Sequence, residues 1–227
     1  MSSTYLSLFQ KAKRECGIAG SAPSAVTGQT GNLLKLVDWV ADADENIQSK
    51  WLDWGYLLTE FEEDTVVGEK DISAPSDHGI WDLDSFFLDP TATTHKKLEE
   101  LDYFIWRNNQ RLGTQTNAKP GLFVVKPDHD IILHNPPDAV YTLTADYYKT
   151  PTRMTANGSV SLIPTKFDRL IIAEAKKMWA TDEEAWDLYT AAEKESIALM
   201  NRLESLYLPG REAYTLGNAS GMAVTPE

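Results

Sequence analysis

Residues 30–52 read TGNLLKLVDWVADADENIQSKWL. Leu33, Leu36, Val37, Val40, Ala43 or Asp44, Ile47 and Trp51 recur at the three- and four-residue spacing of one helix face, while Asp38, Asp42, Glu45 and Gln48 lie away from it. At roughly 1.5 Å per residue this is a helix of about 35 Å, long for a small isolated domain and suited to a bundle or an oligomer wall. Thr30 is its expected N-cap. Upstream, Tyr5, Leu8, Phe9 and Ala12 mark a shorter helix over residues 3–15, with Lys11, Lys13, Arg14 and Glu15 largely on its other side. Gly17 and Gly20 end it.

Downstream the period changes. Leu57–Glu62 and Asp64–Val67 read as strand material, and Trp81–Leu88 alternates as a half-buried strand should. Residues 95–111 read as a connecting segment with helical character, on the spacing of Leu98, Leu101, Ile105 and Leu112. Gly121–Val125 and Ile131–His134 flank the turn residues Asp128-His129-Asp130 and form a hairpin. Val140–Tyr148 is a further strand, with Tyr141, Leu143, Ala145 and Tyr147 on one face.

After Pro164 the helical period returns with Phe167, Leu170, Ile171, Ala175 and Met178. Thr181-Asp182-Glu183-Glu184 has the form of a capping box and starts a helix that runs to about Leu206. Its apolar side is Trp186, Tyr189, Ala192 or Glu193, Ile197, Met200, Leu203 and Tyr207. The expected fold class is α+β. A helical bundle from residues 1–54 and 164–208 carries an inserted antiparallel β lobe, residues 55–163. An extended, aperiodic tail, residues 209–227, is free or orders on a partner.

Composition narrows the function. The chain has 227 residues and a net charge of −13. It lacks the excess of Lys and Arg that binds nucleic acid through phosphate contacts, and an acidic surface repels anionic membranes. No stretch approaches the length of an apolar membrane span, and the first residues do not read as a secretory signal. The one cysteine, Cys16, excludes an intrachain disulfide and points to synthesis in a reducing cytoplasm. It reads as a small packing residue.

Catalytic and metal motifs are sparse. His129, Asp130 and His134 make a conceivable metal set, yet Asp in a hairpin turn is explained by local hydrogen bonding. His78 and His95 are the other histidines. Asp82 and Asp84 are a carboxylate pair that equally fits the polar face of a strand. Gly28-Gln29-Thr30-Gly31 fails as a phosphate loop, because no strand precedes it and no Lys-Ser or Lys-Thr follows. G-x-S-x-G, H-E-x-x-H and C-x-x-C do not occur. These observations assign no catalytic residue, no metal ligand and no cofactor.

Several segments, in order, resemble the head-to-tail adaptor (connector, or neck) proteins of tailed bacteriophages. They are Tyr5–Gln10, Cys16–Ser21, Val26–Gly31, Val37–Val40 with Ile47-Gln48, Trp51–Trp54, Pro137–Tyr141 through Tyr147–Pro151, and Phe167–Ile172. The resemblance implies a structural virion protein that forms a ring, usually of twelve copies, beneath the portal. Such a ring extends the DNA channel, passes DNA without specific binding, and meets the next neck or tail protein. It also implies a C-terminal segment that docks on the portal, here with Tyr207, Leu208, Tyr214, Leu216 and Met222 as contacts. A head-closure or tail-completion protein that does not touch the portal is the alternative within the virion. A cell-wall hydrolase working through Asp82, Asp84 or Glu184 is the alternative outside it.

Overall fold

A computed structural model gives the fold and describes residues 3–89, 96–109, 111, 113 and 116–208. The chain forms two compact units, one from residues up to Tyr56 and from Pro151 onward, the other Leu57–Thr150. The class is α+β, with five helices and two sheets among the described residues.

The first unit is helical. It holds α1 (Tyr5–Glu15), α2 (Asn32–Ser49), α4 (Asp168–Asp182) and α5 (Trp186–Tyr207). α4 touches the other three. The expected apolar face of α1 is the buried one, through Tyr5, Leu8, Phe9 and Ala12. Lys13, expected on the polar side, is buried as well, because its ammonium donates to the carbonyls of Gly20 and Ser21 as the chain turns back over it. α2 has 18 residues, so at roughly 1.5 Å per residue it is about 27 Å long, shorter than expected. Its N-cap is Gly31 at φ +57°, with no side-chain cap; a left-handed turn that glycine tolerates takes the place of the expected Thr30 cap. Gln48, expected to be outside, is fully buried.

Residues 151–163, grouped with the β lobe on their sequence, cluster with the helices. They have no period to follow, and hydrogen bonds hold them. Asn157 accepts at its carbonyl from Leu6 N–H and at its side chain from Val26 N–H, and the Ser159 carbonyl accepts from Tyr5 N–H. The capping box does not start α5. Thr181 lies in the last turn of α4 and donates to the Lys177 carbonyl, while Glu184 turns the chain at φ +53°. α5 buries Ala192, Ser196, Leu203 and Glu204. Trp186 and Ile197, expected inside, are 62% and 54% exposed. Within the buried face Ser196 donates to the Glu174 carboxylate of α4.

The second unit is built from strands. β1 (Leu58–Asp64), β8 (Thr142–Lys149), β3 (His78–Leu88) and β4 (Lys96–Lys97) form one antiparallel sheet in that order. β2 (Asp71–Ile72), β7 (Ile131–His134), β6 (Leu122–Val125) and β5 (Glu99–Glu100) form the other, in which β5 and β6 run parallel. The predicted hairpin is β6–β7. Leu98, expected on a helix, is buried between two short strands, and the helix α3 (Tyr103–Asn109) starts only after Leu101. Leu112 and His95 fall outside the described residues.

One core lies between the inner faces of the two sheets, with Phe61, Trp81, Phe86, Leu98, Phe123, Leu133, Leu143 and Tyr147 among its members. The Phe86 and Phe123 rings stack at 3.9 Å. β3 does not alternate throughout. Its register on β8 shifts between Asp82 and Phe87, so that Trp81 and Phe86, an odd and an even position, both face inward.

Candidate partner-binding surface

The end of α5 is anchored within the helical unit. Tyr207 closes the helix, and Leu208 follows in extended conformation with its N–H on the Glu204 carbonyl. The Tyr207 carbonyl accepts from Gly55 N–H at 2.7 Å. Glycine makes that approach easy, since a Cβ at residue 55 would stand a tight 3.1 Å from the same oxygen. The Tyr207 ring meets the rings of Tyr56 and Phe167 edge-on at 5.5 Å and 6.2 Å, and Lys166 Nζ sits 4.9 Å from its centroid. Tyr56 in turn stacks on Trp54, which is fully buried and donates from Nε1 to the Ile47 carbonyl. One turn earlier, the buried Glu204 carboxylate receives Lys50 Nζ at 2.8 Å and Trp51 Nε1 at 3.0 Å.

Of the five contact residues expected from the resemblance, two are therefore placed. Tyr207 and Leu208 are half-buried at this anchor. Tyr214, Leu216 and Met222 lie outside the described residues. Trp54, Gly55, Tyr56, Phe167 and Lys166 also build the anchor. They come from segments far apart in the chain, and no local pattern brings them together.

The residues weighed for chemistry are in structural use. Asp84 is exposed and paired with Lys97 at 2.8 Å, and this bond holds its carboxyl below the usual range. Asp82 accepts from Asp84 N–H. Asp130 accepts from Ala74 N–H and pairs with Lys126, and these contacts lower its pKa despite some burial. Glu184 is an exposed turn residue. His134 ends β7, and His129 sits in the hairpin turn at φ +72°, its ring 5.2 Å from that of His78. Among the described residues no three His, Cys, Asp or Glu side chains are grouped so as to hold a metal ion. Burial pushes the Cys16 thiol up to about 12, which leaves it protonated and unreactive at neutral pH.

A second feature of the helical unit is a groove of about 640 Å3 between α1 and the start of α4, lined by Lys11, Arg14, Lys166 and Arg169 together with Glu15 and Asp168. No helix among the described residues is long and apolar enough to cross a membrane.

The SU10 adaptor protein family model matches residues 3–219, across both units. No curated protein matches the chain.

Proposed function

The chain belongs to the SU10 adaptor protein family, a family of phage structural adaptors, and from that premise we propose that it forms a ring beneath the portal of a tailed-phage capsid. The ring, of twelve copies in the arrangement that the resemblance implies, prolongs the DNA channel and joins the head to the next neck or tail protein. The role is structural and non-catalytic. The observation that carries the reading is the length of the family match, which takes in the helical unit, the β unit and residues beyond the α5 anchor.

Physical features support it. A net charge of −13 per copy makes a ring lumen that repels phosphate and lets DNA pass without sticking. The fixed carbonyl of Tyr207 gives the following segment a firm point of departure. Tyr207, Leu208, Tyr214, Leu216 and Met222 then supply apolar and aromatic contact to the portal.

The test is sedimentation of the purified protein, alone and mixed with portal rings, with and without residues 209–227. The full chain is expected to co-sediment with the portal, and the shortened chain to stay behind. A full chain that never joins the portal overturns the reading and favours a protein seated lower in the neck.

A further inference from the structure

In an antiparallel pair, residues directly opposite one another share a face. On the outer face of the first sheet, Leu58, Tyr148 and Ile80 form one row across β1, β8 and β3, and Glu60, Asp146 and Asp82 form the next. The alternate rows, Thr59–Tyr147–Trp81 and Phe61–Ala145, include the core side chains Tyr147, Trp81, Phe61 and Ala145. Leu58 and Ile80 are 43% and 44% exposed. The three carboxylates face one another without an ion pair to any described Lys, Arg or His. Burial, with Glu60 and Asp82 adding to it, raises the Asp146 carboxyl above its usual range. Leu58 and Ile80 are thus exposed beside a row of like charge that no described cation compensates.

The groove between α1 and α4 is the converse. It sets four cationic side chains against two acidic ones in a chain of net charge −13. Lys11 is engaged with Asp168, and Arg169 with Glu15 and Glu195. Arg14 and Lys166 are exposed and have no carboxylate partner among the described residues. Long Lys and Arg stems cover apolar surface while their heads meet carboxylates. A dyad contact through either face would set like charge against like. Joining the two faces across copies is head-to-tail, and such a contact closes a ring when its rotation permits.

We propose that the outer face of β1–β8–β3 seats on the Lys11–Arg14–Lys166–Arg169 groove of a second copy of this chain. This rests on the ring reading above and names the surfaces that would make the ring.

The experiment is carbodiimide cross-linking of a mixture of 15N-labelled and unlabelled full chains at millimolar concentration, followed by peptide mass spectrometry. Mixed-isotope links between Lys11 or Lys166 and Glu60, Asp82 or Asp146 are expected. They should fall about tenfold or more, equivalent to roughly 1.4 kcal/mol or more, when Glu60→Lys and Asp82→Lys are made together, and likewise for Arg14→Glu with Lys166→Glu. In a chain carrying all four substitutions they should return with lysine on the sheet side, which also shows that the substituted units fold. Absence of mixed links in the natural chain, or links undiminished in both two-site variants, overturns the contact. Running the same chains with portal rings separates the two readings. Natural chain that binds the portal but gives no mixed links sinks the contact alone. Links that follow the charge swap, together with a natural chain that ignores the portal, sink the adaptor reading and leave the contact standing.

Discussion

Asp44 on α2 and His78 at the start of β3 are both titratable and both withdrawn from water, one in each unit, but they are treated differently. The Asp44 carboxylate is fully buried and accepts from Ser161 Oγ and Gln48 Nε2. Gln48 also accepts from Thr152 N–H, so the pair ties α2 to the segment that leads back from the β unit. Burial outweighs these bonds and pushes the Asp44 carboxyl up to about 6. His78 lies against the rings of Trp81, His129 and Tyr147 at 4.5 Å, 5.2 Å and 5.6 Å, and neither of its buried ring nitrogens has a hydrogen-bond partner among the described residues. Burial, then the neighbouring His129, lowers its pKa. The helical unit provides hydrogen bonds for a buried charge; the β unit surrounds an ionisable ring with aromatic surface and keeps it neutral. The same neutral state is favoured in both, so acid acts on the two units in opposite directions.

The comparison is broken most strongly at the aromatic cores, where the units behave alike. Trp54→Ala in the helical unit and Phe86→Ala in the β unit each delete a fully buried ring. Each is expected to cost about 3–5 kcal/mol by denaturant unfolding.

The comparison is sharpened by pH. The folded-state pKa of Asp44 is raised from 3.8 to about 6, so its contribution to stability is full below about pH 4 and is lost as pH rises through 6. At 1.36 kcal/mol per unit that is roughly 3 kcal/mol. Asp44→Asn should therefore be more stable than the natural chain at pH 7 by up to about this amount, with the gap closing by pH 4. A gap independent of pH would show that folding leaves the Asp44 pKa where it stands in the unfolded chain. His78 has the opposite sign. Its folded pKa is lowered, so its contribution is present above its ordinary pKa and is lost as pH falls, a smaller effect that His78→Phe should abolish in the same melts.

Next in size is Gln48→Ala, which removes the side-chain acceptor of Thr152 N–H and a donor to Asp44 and should cost about 1–3 kcal/mol. The smallest is Glu184→Gly. A capping-box glutamate would lose stability on this change, but at φ +53° glycine relieves a left-handed residue, so the expected result is neutral to about 1 kcal/mol of gain by thermal melting.

These residues also mark what could be read before the fold was known. The buried face of α1, the Leu36–Val37–Val40–Ile47 stripe of α2 and the β6–β7 hairpin follow from side-chain period, because packing on one face imposes a spacing of three and four, or of two, on the chain itself. The β3 register shift escaped, since a strand that alternates along its length gives no sign of where its partner will slip. On α5 the expected side holds at Ala192 and Leu203 but not at Trp186 and Ile197, which the fold leaves exposed. At the candidate surface, Tyr207 and Leu208 entered only through the docking segment that the resemblance implies. The ring of Trp54, Gly55, Tyr56, Phe167 and Lys166 around them could not be named, as those residues meet only after folding.

Read alone, the chain established its class, its helix–strand–helix order, its acidity and, through a single cysteine, the absence of an internal disulfide. These are properties of composition or of neighbours within a few residues. Folding chose which polar groups went inside. Lys13, Gln48 and Glu204 look like surface residues in any local window, and each is buried because specific partners arrive to satisfy it. For Gln48 that partner is Thr152, 104 positions away, and no periodicity reaches so far.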